Sequence, residues 1–318
     1  DAQHYYRHVH RLQRASLADE DRAHWLLRAD ARAQDGYRVL GLAAGDEEHE
    51  QGLRFLGLVM LWDPPRPEVP GAILSAQSAG VRVVMMTGDH PGTAGAVARA
   101  VGMNAGDAIT GVQVEAMSDE ALRRAVATAS VFARVTPEHK LRIVEALKAN
   151  DEVVVATGDG INDAPALKRA DVGVAMGQRG SDVTREVADI VLLDDNFATI
   201  VSAIEEGRSI YDNIRKFVRF LFSTNVALVL LVAAGAVLAY FGELREVSGS
   251  ILLPLTAIQL LWINFIGDGP TALALSLDGN TGVMKRRPRS VSSPLLDRKA
   301  IAFIAASGVV KAAVVVLL

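Results

Sequence analysis

The stretch 157–165 contains two carboxylates and one amide in a run of five residues, and its glycines let the backbone turn tightly. Asp159 and Asp163 supply oxygen atoms of the kind that hold Mg²⁺, which usually takes one or two carboxylates together with phosphate oxygens. Asn162 supplies an amide that can donate to a phosphoryl oxygen. These residue types predict a magnesium and phosphate loop, although a plain strand-to-helix turn with Asn or Asp as the cap uses the same residues.

Two other short stretches offer groups for the same phosphate site. Thr87, Gly88 and Asp89 provide a hydroxyl, a backbone open to close approach and a carboxylate, and Lys140 provides a cation near a predicted helix start. A phosphoryl group in transfer needs its charge neutralised by Mg²⁺ and lysine, with little covalent help. Taken singly, Asp89 is also compatible with a turn and Lys140 with a solvated helix.

Predicted helices and strands alternate after the proline-rich joint at residues 63–67. Before the joint, a helix is predicted at 16–34 and two strands at 37–42 and 53–62, joined by an acidic loop. After it, we expect helices at 69–79, 93–101, 119–128, 137–148 and 164–170, and strands at 81–86, 131–133, 153–156, 172–176 and 190–193. This alternation predicts an α/β fold whose parallel sheet is covered on both faces. Ligands of such sheets bind outside the carboxyl ends of the strands, so Asp89 and Asp159 are expected to face one crevice.

The last third of the chain has the composition of a membrane protein. Residues 220–241 carry no charge, residues 251–277 carry only Asp268, and residues 300–318 carry only Lys311. Such lengths are sufficient to cross a bilayer. Clusters of Lys and Arg at 215–219 and 285–289 predict a cytoplasmic side, with the loop at 243–250 outside. We therefore expect a multi-pass protein of the plasma or inner membrane, with lipid as a partner and the α/β domain in the cytoplasm; buried core helices of a soluble protein are the alternative.

Polar residues inside these spans point to a cation. A charge within a membrane span is costly, so Asp268 is a functional candidate, and Asn264 lies four residues earlier on the same helix face. Gly267, Gly269 and Pro270 loosen the helix there and free backbone carbonyls, which is tolerated where they line a cavity. Asn225 in the preceding span is a further candidate. Amide, carboxylate and carbonyl oxygens suit a hard cation such as Ca²⁺ or Mn²⁺, while a polar helix-packing pair is the alternative.

Composition excludes several other classes of protein. The 318 residues contain no cysteine, so disulfides and cysteine metal sites are excluded, and the net charge of −4 gives no footprint for nucleic acid.

The chain begins without methionine and ends within an apolar run, so we expect it to be a piece of a longer polypeptide. We divide it into domains at 1–62, 63–208 and 209–318, the last with spans at about 217–241, 251–277 and 300–318.

Four motifs occur in the order found in one family. Asp63-Pro64-Pro65-Arg66, Thr87-Gly88-Asp89, the stretch 136–140 and the stretch 157–165 precede the spans, and the chain thereby resembles the P-type cation-transporting ATPases. The resemblance implies a haloacid-dehalogenase-like, Rossmann-type phosphorylation domain that uses ATP and Mg²⁺, preceded by the tail of a nucleotide-binding α+β domain.

The resemblance also assigns roles to the candidate residues. It implies that Asp159, with Asp163, binds Mg²⁺ and that Thr87 and Lys140 contact the phosphoryl group. It further implies that Asn162 and Asp163 support that group, and that Gly88 and Asp89 lie beside the nucleotide and the hinge. The family's phosphorylated aspartate belongs to an Asp-Lys-Thr-Gly-Thr motif that this sequence lacks. We therefore expect the isolated chain to form no phosphoenzyme and to depend on a missing N-terminal part of the same polypeptide.

The spans resemble those of the Ca²⁺-pump branch of the family. Residues 259–269 resemble its sixth transmembrane helix, and residues 223–226 its fifth. Leu228 stands where two-ion pumps have glutamate, and Gly267 where they have threonine, so a single-ion site is expected, with the identity of the ion left open. The predicted function is cation transport out of the cytoplasm through an aspartyl phosphate. The alternatives are a non-catalytic regulatory fragment and a membrane-anchored phosphatase of the same fold.

Overall fold

The computed structural model describes residues 19–44, 53–104, 106–243, 255–279, 281–290 and 292–317. The start of the first predicted helix, the acidic loop before residue 53, most of the predicted outer loop and the first residues of the second predicted span lie outside these ranges. The chain divides into two compact units, Asp1–Val201 and Ser202–Leu318. The domain boundaries predicted at 62 and 208 stay predictions.

The first unit opens with a helix and a hairpin. Helix α1 (Asp19–Gln34) precedes the antiparallel strands β1 (Arg38–Ala44) and β2 (Arg54–Leu61), as the sequence predicts. Aromatic rings join these elements, with Trp25 against Phe55 at 5.2 Å between centroids. Gly36 turns the chain from helix to strand at φ 95°, and a Cβ there would lie 2.7 Å from the Trp62 ring. Glycine is therefore required by both backbone and space.

The rest of the first unit alternates strands with helices, which confirms the predicted α/β class. Its helices are α2 (Val69–Ser78), α3 (Pro91–Ala100), α4 (Gly111–Ala116), α5 (Asp119–Val126), α6 (Pro137–Lys148), α7 (Ala164–Arg169) and α8 (Asp182–Val187). Its strands are β3 (Met85–Met86), β4 (Ile109–Thr110), β5 (Val131–Ala133), β6 (Val155–Gly158), β7 (Val172–Met176) and β8 (Ile190–Leu192). A short 3₁₀ turn, Ile161–Asp163, connects β6 to α7.

The strands form two parallel sheets instead of the single sheet that the alternation predicts. One has the order β3-β5-β4 and the other β6-β7-β8. Within the described residues, β3 and β6 each pair with a neighbour on one side, so each is an edge strand. Of the four described edge strands in these two sheets, β3 and β6 are the ones that lead into Thr87 and Asp159. These two predicted phosphate residues therefore follow edge strands.

Local hydrogen bonds explain why the helices begin where they do. The Ser118 hydroxyl accepts from the Ala121 amide and caps α5, and Thr136 forms a reciprocal capping box with His139 at the start of α6. Behind these caps, the helices bury one face on the sheet. The core there is apolar and comprises Val114, Leu122, Val126, Phe132, Val135, Ile143, Ala146 and Leu147.

Among the predicted strands, two differ most from the observed bounds. The strand predicted at 81–86 is reduced to β3, because the Val81 amide donates to the Ala76 carbonyl (2.9 Å) in the turn that ends α2. The strand predicted at 153–156 begins at Val155, because the Val154 amide donates to the Asp171 carboxylate (2.9 Å) instead of a neighbouring strand. It extends to Gly158, which pairs with Ala175. Elements β4, α4 and α8 were not predicted.

The second unit consists of helices. Helix α9 (Phe197–Phe241) is 45 residues long and has no break. It begins near the end of the first unit, well before the start of the predicted span at about residue 217. It is followed by α10 (Ala257–Ile263), a π-helical turn (Asn264–Asp268), α11 (Gly269–Ser276) and α12 (Arg298–Leu317). Among the described residues, α9 and α12 are long and apolar enough to cross a membrane. Within the span predicted at 251–277, the described residues form two short helices joined by the π-helical turn, and the span itself stays a prediction.

Candidate functional site

A glycine loop at the end of β6 holds the Asp163 carboxylate close to the backbone. The Gly160 amide donates to Asp163 Oδ2 at 3.3 Å, and the Asp163 amide donates to the Gly160 carbonyl at 2.9 Å. A Cβ on Gly158 would lie 2.4 Å from Asp163 Cβ, closer than two carbon atoms can approach. Glycine at 158 is therefore a condition for this placement of the aspartate.

Lys140, in the first turn of α6, forms an ion pair with Asp163 of the loop after β6. Its Nζ donates to Asp163 Oδ1 at 2.5 Å, and the two side chains are only 14 % and 15 % exposed. The Thr136 cap fixes the start of α6 and hence the position of the lysine. Both oxygens of Asp163 thus accept hydrogen bonds, and a partly desolvated ion pair ties α6 to the loop after β6.

Thr87 and Asp89 form a compact turn after β3. The Thr87 hydroxyl donates to Asp89 Oδ2 at 3.0 Å, and the Asp89 amide donates to the Thr87 hydroxyl at 3.1 Å. Main-chain hydrogen bonds fasten the turn to the end of β5, from Thr87 to Phe132 and from Arg134 to Asp89. Gly88 is exposed, and a Cβ there would meet nothing within 4 Å. The space over this turn is open to a ligand.

Asp159 and Asn162 have exposed side chains, while the backbone beneath them is fixed. The Asp159 carbonyl accepts from the Ser181 amide at 2.9 Å, and Ser181 is the cap of α8. Buried Thr184 also reaches this carbonyl. Ser181 and Thr184 were not among the predicted site residues, although a serine followed by aspartate is a recognisable helix start. They hold the loop while the Asp159 carboxylate faces solvent.

Asp195 is another residue that the sequence analysis missed. Its buried carboxylate accepts from the Gln178 amide at 3.0 Å and from the Arg179 amide at 2.8 Å. Those hydrogen bonds hold the pKa of Asp195 below its ordinary value, with the Gln178 bond as the largest cause and burial opposing it. Arg66 donates to the Asp195 carbonyl at 2.8 Å. The proline-rich joint is thereby fastened to the loop after β8.

The structure joins the predicted residues in pairs. Hydrogen bonds connect Lys140 with Asp163 and Thr87 with Asp89, and in the described part of the chain none connects one pair with the other. The described residues contain no group of three or more histidine, aspartate or glutamate side chains suited to a metal. Mg²⁺ needs only one or two carboxylates and fills its other positions with water and phosphate, and the role of Asp159 and Asp163 as its ligands stays a prediction.

The π-helical turn begins at Asn264 and ends at Asp268. The prediction that the helix is loosened here is confirmed, because backbone hydrogen bonds shift by one residue in such a turn. The Thr271 hydroxyl donates to the Gly267 carbonyl at 2.7 Å, which satisfies one displaced acceptor. Asn225 lies on α9, and over the described ranges no hydrogen bond joins it to Asn264 or Asp268. Their joint role as cation ligands stays a prediction.

Profiles of two protein families match this chain. The profile described as haloacid dehalogenase-like hydrolase matches residues 2–171, and a second profile of the same description matches residues 140–204. The profile of the C-terminus of cation transporting ATPases matches residues 252–318.

The similar proteins include several calcium pumps. A calcium-transporting ATPase of Bacillus subtilis is 47% identical over 80% of this chain and 28% of its own length. Calcium-transporting ATPase 1 of Yarrowia lipolytica is 43% identical over 86% of this chain and 30% of its own length. The human calcium-transporting ATPase type 2C member 1 is 42% identical over 86% and 29%, respectively. The chain thus spans less than a third of the length of these curated relatives.

Proposed function

Because this chain belongs to the haloacid dehalogenase-like hydrolase family, and its last residues match the C-terminus of cation transporting ATPases, we propose that it is part of an ATP-driven Ca²⁺ pump. The resemblance to P-type ATPases seen in the sequence is confirmed by these matches and by the calcium-transporting relatives. The same matches favour transport over a regulatory fragment or an anchored phosphatase. Calcium is chosen as the ion because the relatives are named for it.

The observation that carries the proposal is the Lys140–Asp163 pair at the end of β6. An ammonium held at 2.5 Å from a carboxylate, beside exposed Asp159 and Asn162, places one fixed positive charge and two polar side chains at a sheet edge. Phosphoryl transfer depends on positioning and on neutralising the charge of three oxygens, and this set of groups suits that task. A structural ion pair alone does not require the exposed carboxylate and amide next to it.

Each residue then has a separate task in phosphoryl transfer. The Lys140 ammonium and the Thr87 hydroxyl contact phosphoryl oxygens, and Asn162 donates to them from the loop. Asp163 keeps Lys140 in place, and Asp159 with Asp163 would hold Mg²⁺. When bound, Mg²⁺ supplies further neutralisation of the phosphoryl charge. Gly88 and Asp89 lie on the open side of the β3 turn, where the nucleotide approaches.

The remainder of the polypeptide supplies the aspartate that is phosphorylated. We place its strand between β3 and β6, because both are edge strands in the described structure and both lead into phosphate residues. A strand paired with both edges would make one sheet of seven strands from the two sheets of three. Its carboxyl end would then lie between Thr87 and Asp159.

The transported cation binds in the second unit at Asn225, Asn264 and Asp268. Asp268 supplies charge, the two asparagines supply neutral oxygens, and the π-helical turn offers displaced carbonyls between them. The protein crosses the membrane several times. Its α/β domain is cytoplasmic, because the basic clusters at 215–219 and 285–289 flank the spans on that side.

The test is phosphoenzyme formation by the complete gene product that contains this chain. Incubation with radiolabelled ATP and Mg²⁺ should give acid-stable labelled protein in the presence of Ca²⁺ and little without it. Asp159→Asn should lower labelling strongly, whereas Asp119→Asn, at an exposed carboxylate on α5, should leave it unchanged. Labelling that is the same with and without Ca²⁺ would contradict the proposal. So would labelling of the Asp159→Asn variant to the same level as the unmodified protein. The isolated chain should take up no label.

A further inference from the structure

Helix α12 carries one charge in its apolar stretch, the ammonium of Lys311. Over residues 220–241, 251–277 and 300–318, Asp268 and Lys311 are the only acidic or basic side chains. An ionisable side chain within a membrane span is costly to keep, so its presence calls for a function. The function proposed above uses Asp268 and leaves Lys311 without a task.

The ammonium of Lys311 is fixed against α9. Its Nζ donates to Ser223 Oγ at 2.8 Å and reaches Thr224 Oγ1 at 3.4 Å. It also lies 5.3 Å from the centroid of the Phe220 ring, within the range of a cation–π contact. Ser223 is buried and donates in turn to the Phe220 carbonyl. Among the described residues, the side chains that these contacts bring to the ammonium are neutral, so none of the three cancels its positive charge.

Close packing of the two helices limits where the lysine can go. A Cβ on Gly308 would lie 2.6 Å from Val226 Cγ1 and 3.2 Å from the Ser223 carbonyl. The buried face of α12 repeats every four residues, at Ala300, Ile304, Gly308 and Ala312. Lys311 lies beside this face and has little freedom to withdraw its ammonium from α9.

The position of this charge relates it to the cation site. Ser223 and Thr224 immediately precede Asn225, the candidate cation ligand on α9. Adjacent residues of a helix point in different directions, so the charge acts on Asn225 through space from beside the same turn of α9. Such a charge repels a divalent cation, and the repulsion is strong where water is excluded. The single carboxylate at 268 is then opposed by a single ammonium. Leu228, where a two-ion pump would have glutamate, adds no further negative charge.

We propose that Lys311 is a specificity-determining residue of the membrane site, whose fixed charge stands in place of a second cation and restricts the site to one divalent ion bound with reduced affinity. This inference rests on the proposed transport function. It differs from a purely structural role, in which the hydroxyl contacts of Lys311 only tie α12 to α9. A charge effect acts on cation affinity, whereas a tether acts on stability.

The experiment measures the Ca²⁺ concentration that half-saturates phosphoenzyme formation in the complete gene product, together with its melting temperature. Lys311→Met and Lys311→Gln remove the charge and should lower the half-saturating concentration on the order of tenfold. Lys311→Arg keeps the charge and should remain within about twofold of the unmodified protein. Gly308→Ala is the structural control, because it disturbs the same helix contact without changing charge and should lower the melting temperature alone.

Several results would overturn the inference. One is a Lys311→Met or Lys311→Gln variant that folds and keeps the original half-saturating Ca²⁺ concentration. Another is a Gly308→Ala variant whose half-saturating Ca²⁺ concentration falls as far as that of the neutral variants. Loss of folding in both neutral variants while Gly308→Ala folds would establish the tether instead. The transport function itself is tested separately by Asp268→Asn. If that variant responds to Ca²⁺ as the unmodified protein does, the cation site is wrongly placed, whatever Lys311 does.

Discussion

The Lys140–Asp163 pair can be tested by a double-mutant cycle. Lys140→Met removes the ammonium while keeping the length of the side chain, and Asp163→Asn removes the carboxylate charge while keeping its shape. Each single variant leaves one charged group without its partner in a site that is about one-seventh exposed. The double variant leaves neither charge, and the cycle therefore isolates the interaction between the two side chains.

The expected magnitude follows from burial and geometry. Removing one partner of a fully buried ion pair costs about 3–5 kcal/mol, and a charge-assisted hydrogen bond contributes about 1.5–3 kcal/mol. Because both side chains keep some exposure, we expect about 2–3 kcal/mol for each single variant. The double variant should cost about the same as one single variant. The interaction energy then equals the cost of one single variant, about 2–3 kcal/mol.

The assay is native-state hydrogen exchange on the complete gene product, read at the amides of α6 and of the loop after β6. It reports the free energy of local opening and needs no global two-state unfolding. The exposed Arg124–Glu120 pair on α5, read at the amides of α5, is the matched control, with side chains 70% and 79% exposed. Its interaction energy should be about 0.3–0.5 kcal/mol. Equal energies for the two pairs would refute the claim that Lys140 and Asp163 form a desolvated site.

Three further changes have defined outcomes. Gly158→Ala should cost about 1–3 kcal/mol of local stability and abolish phosphoenzyme formation, because its Cβ would lie 2.4 Å from a neighbouring Cβ; Gly160→Ala, whose nearest contact is 3.7 Å, should be mild. His90 caps α3, because its Nδ1 accepts from the Gly92 amide at 3.2 Å. Burial and Arg134 lower the pKa of His90 from 6.5 while Asp30 raises it, so the cap should be stable above about pH 6.5 and weaken as pH falls through the lowered value. Hydrogen exchange of α3 should show this loss, and His90→Asn should remove it. Asp212→Asn breaks two arginine contacts of 2.7 and 2.8 Å and should speed tryptic cleavage near residue 287 more than Asp297→Asn does, whose contact is 3.5 Å; equal cleavage would contradict this.

Local signals in the sequence were sufficient for much of the fold. The bounds of α6 and β5 agree with prediction because Thr136-Pro137 starts the helix and a short apolar run forms the strand. The caps at Ser118 and Thr136 are encoded within a few residues of the helices they start. Such features depend on neighbours along the chain, and for that reason they can be inferred without a structure.

Features that depend on distant contacts were not predictable. The Val154 amide is taken by Asp171, seventeen residues later, which moves the start of β6. The division of the sheet depends on which strands pair, and no local pattern reports that. In the site, the sequence identified Lys140 and Asp163 as members of one set. Their direct ion pair, and the anchoring of Asp159 through Ser181, needed the fold.

The most direct test of the account is ATP-driven uptake of radiolabelled Ca²⁺ into inverted membrane vesicles that contain the complete gene product. The account predicts uptake that requires ATP and Mg²⁺ and that falls to background in both Asp159→Asn and Asp268→Asn, since one variant loses the phosphoryl site and the other the cation site. The Asp268→Asn variant should show no Ca²⁺-stimulated ATP hydrolysis. Uptake by the Asp268 variant at the rate of the unmodified protein would contradict the account.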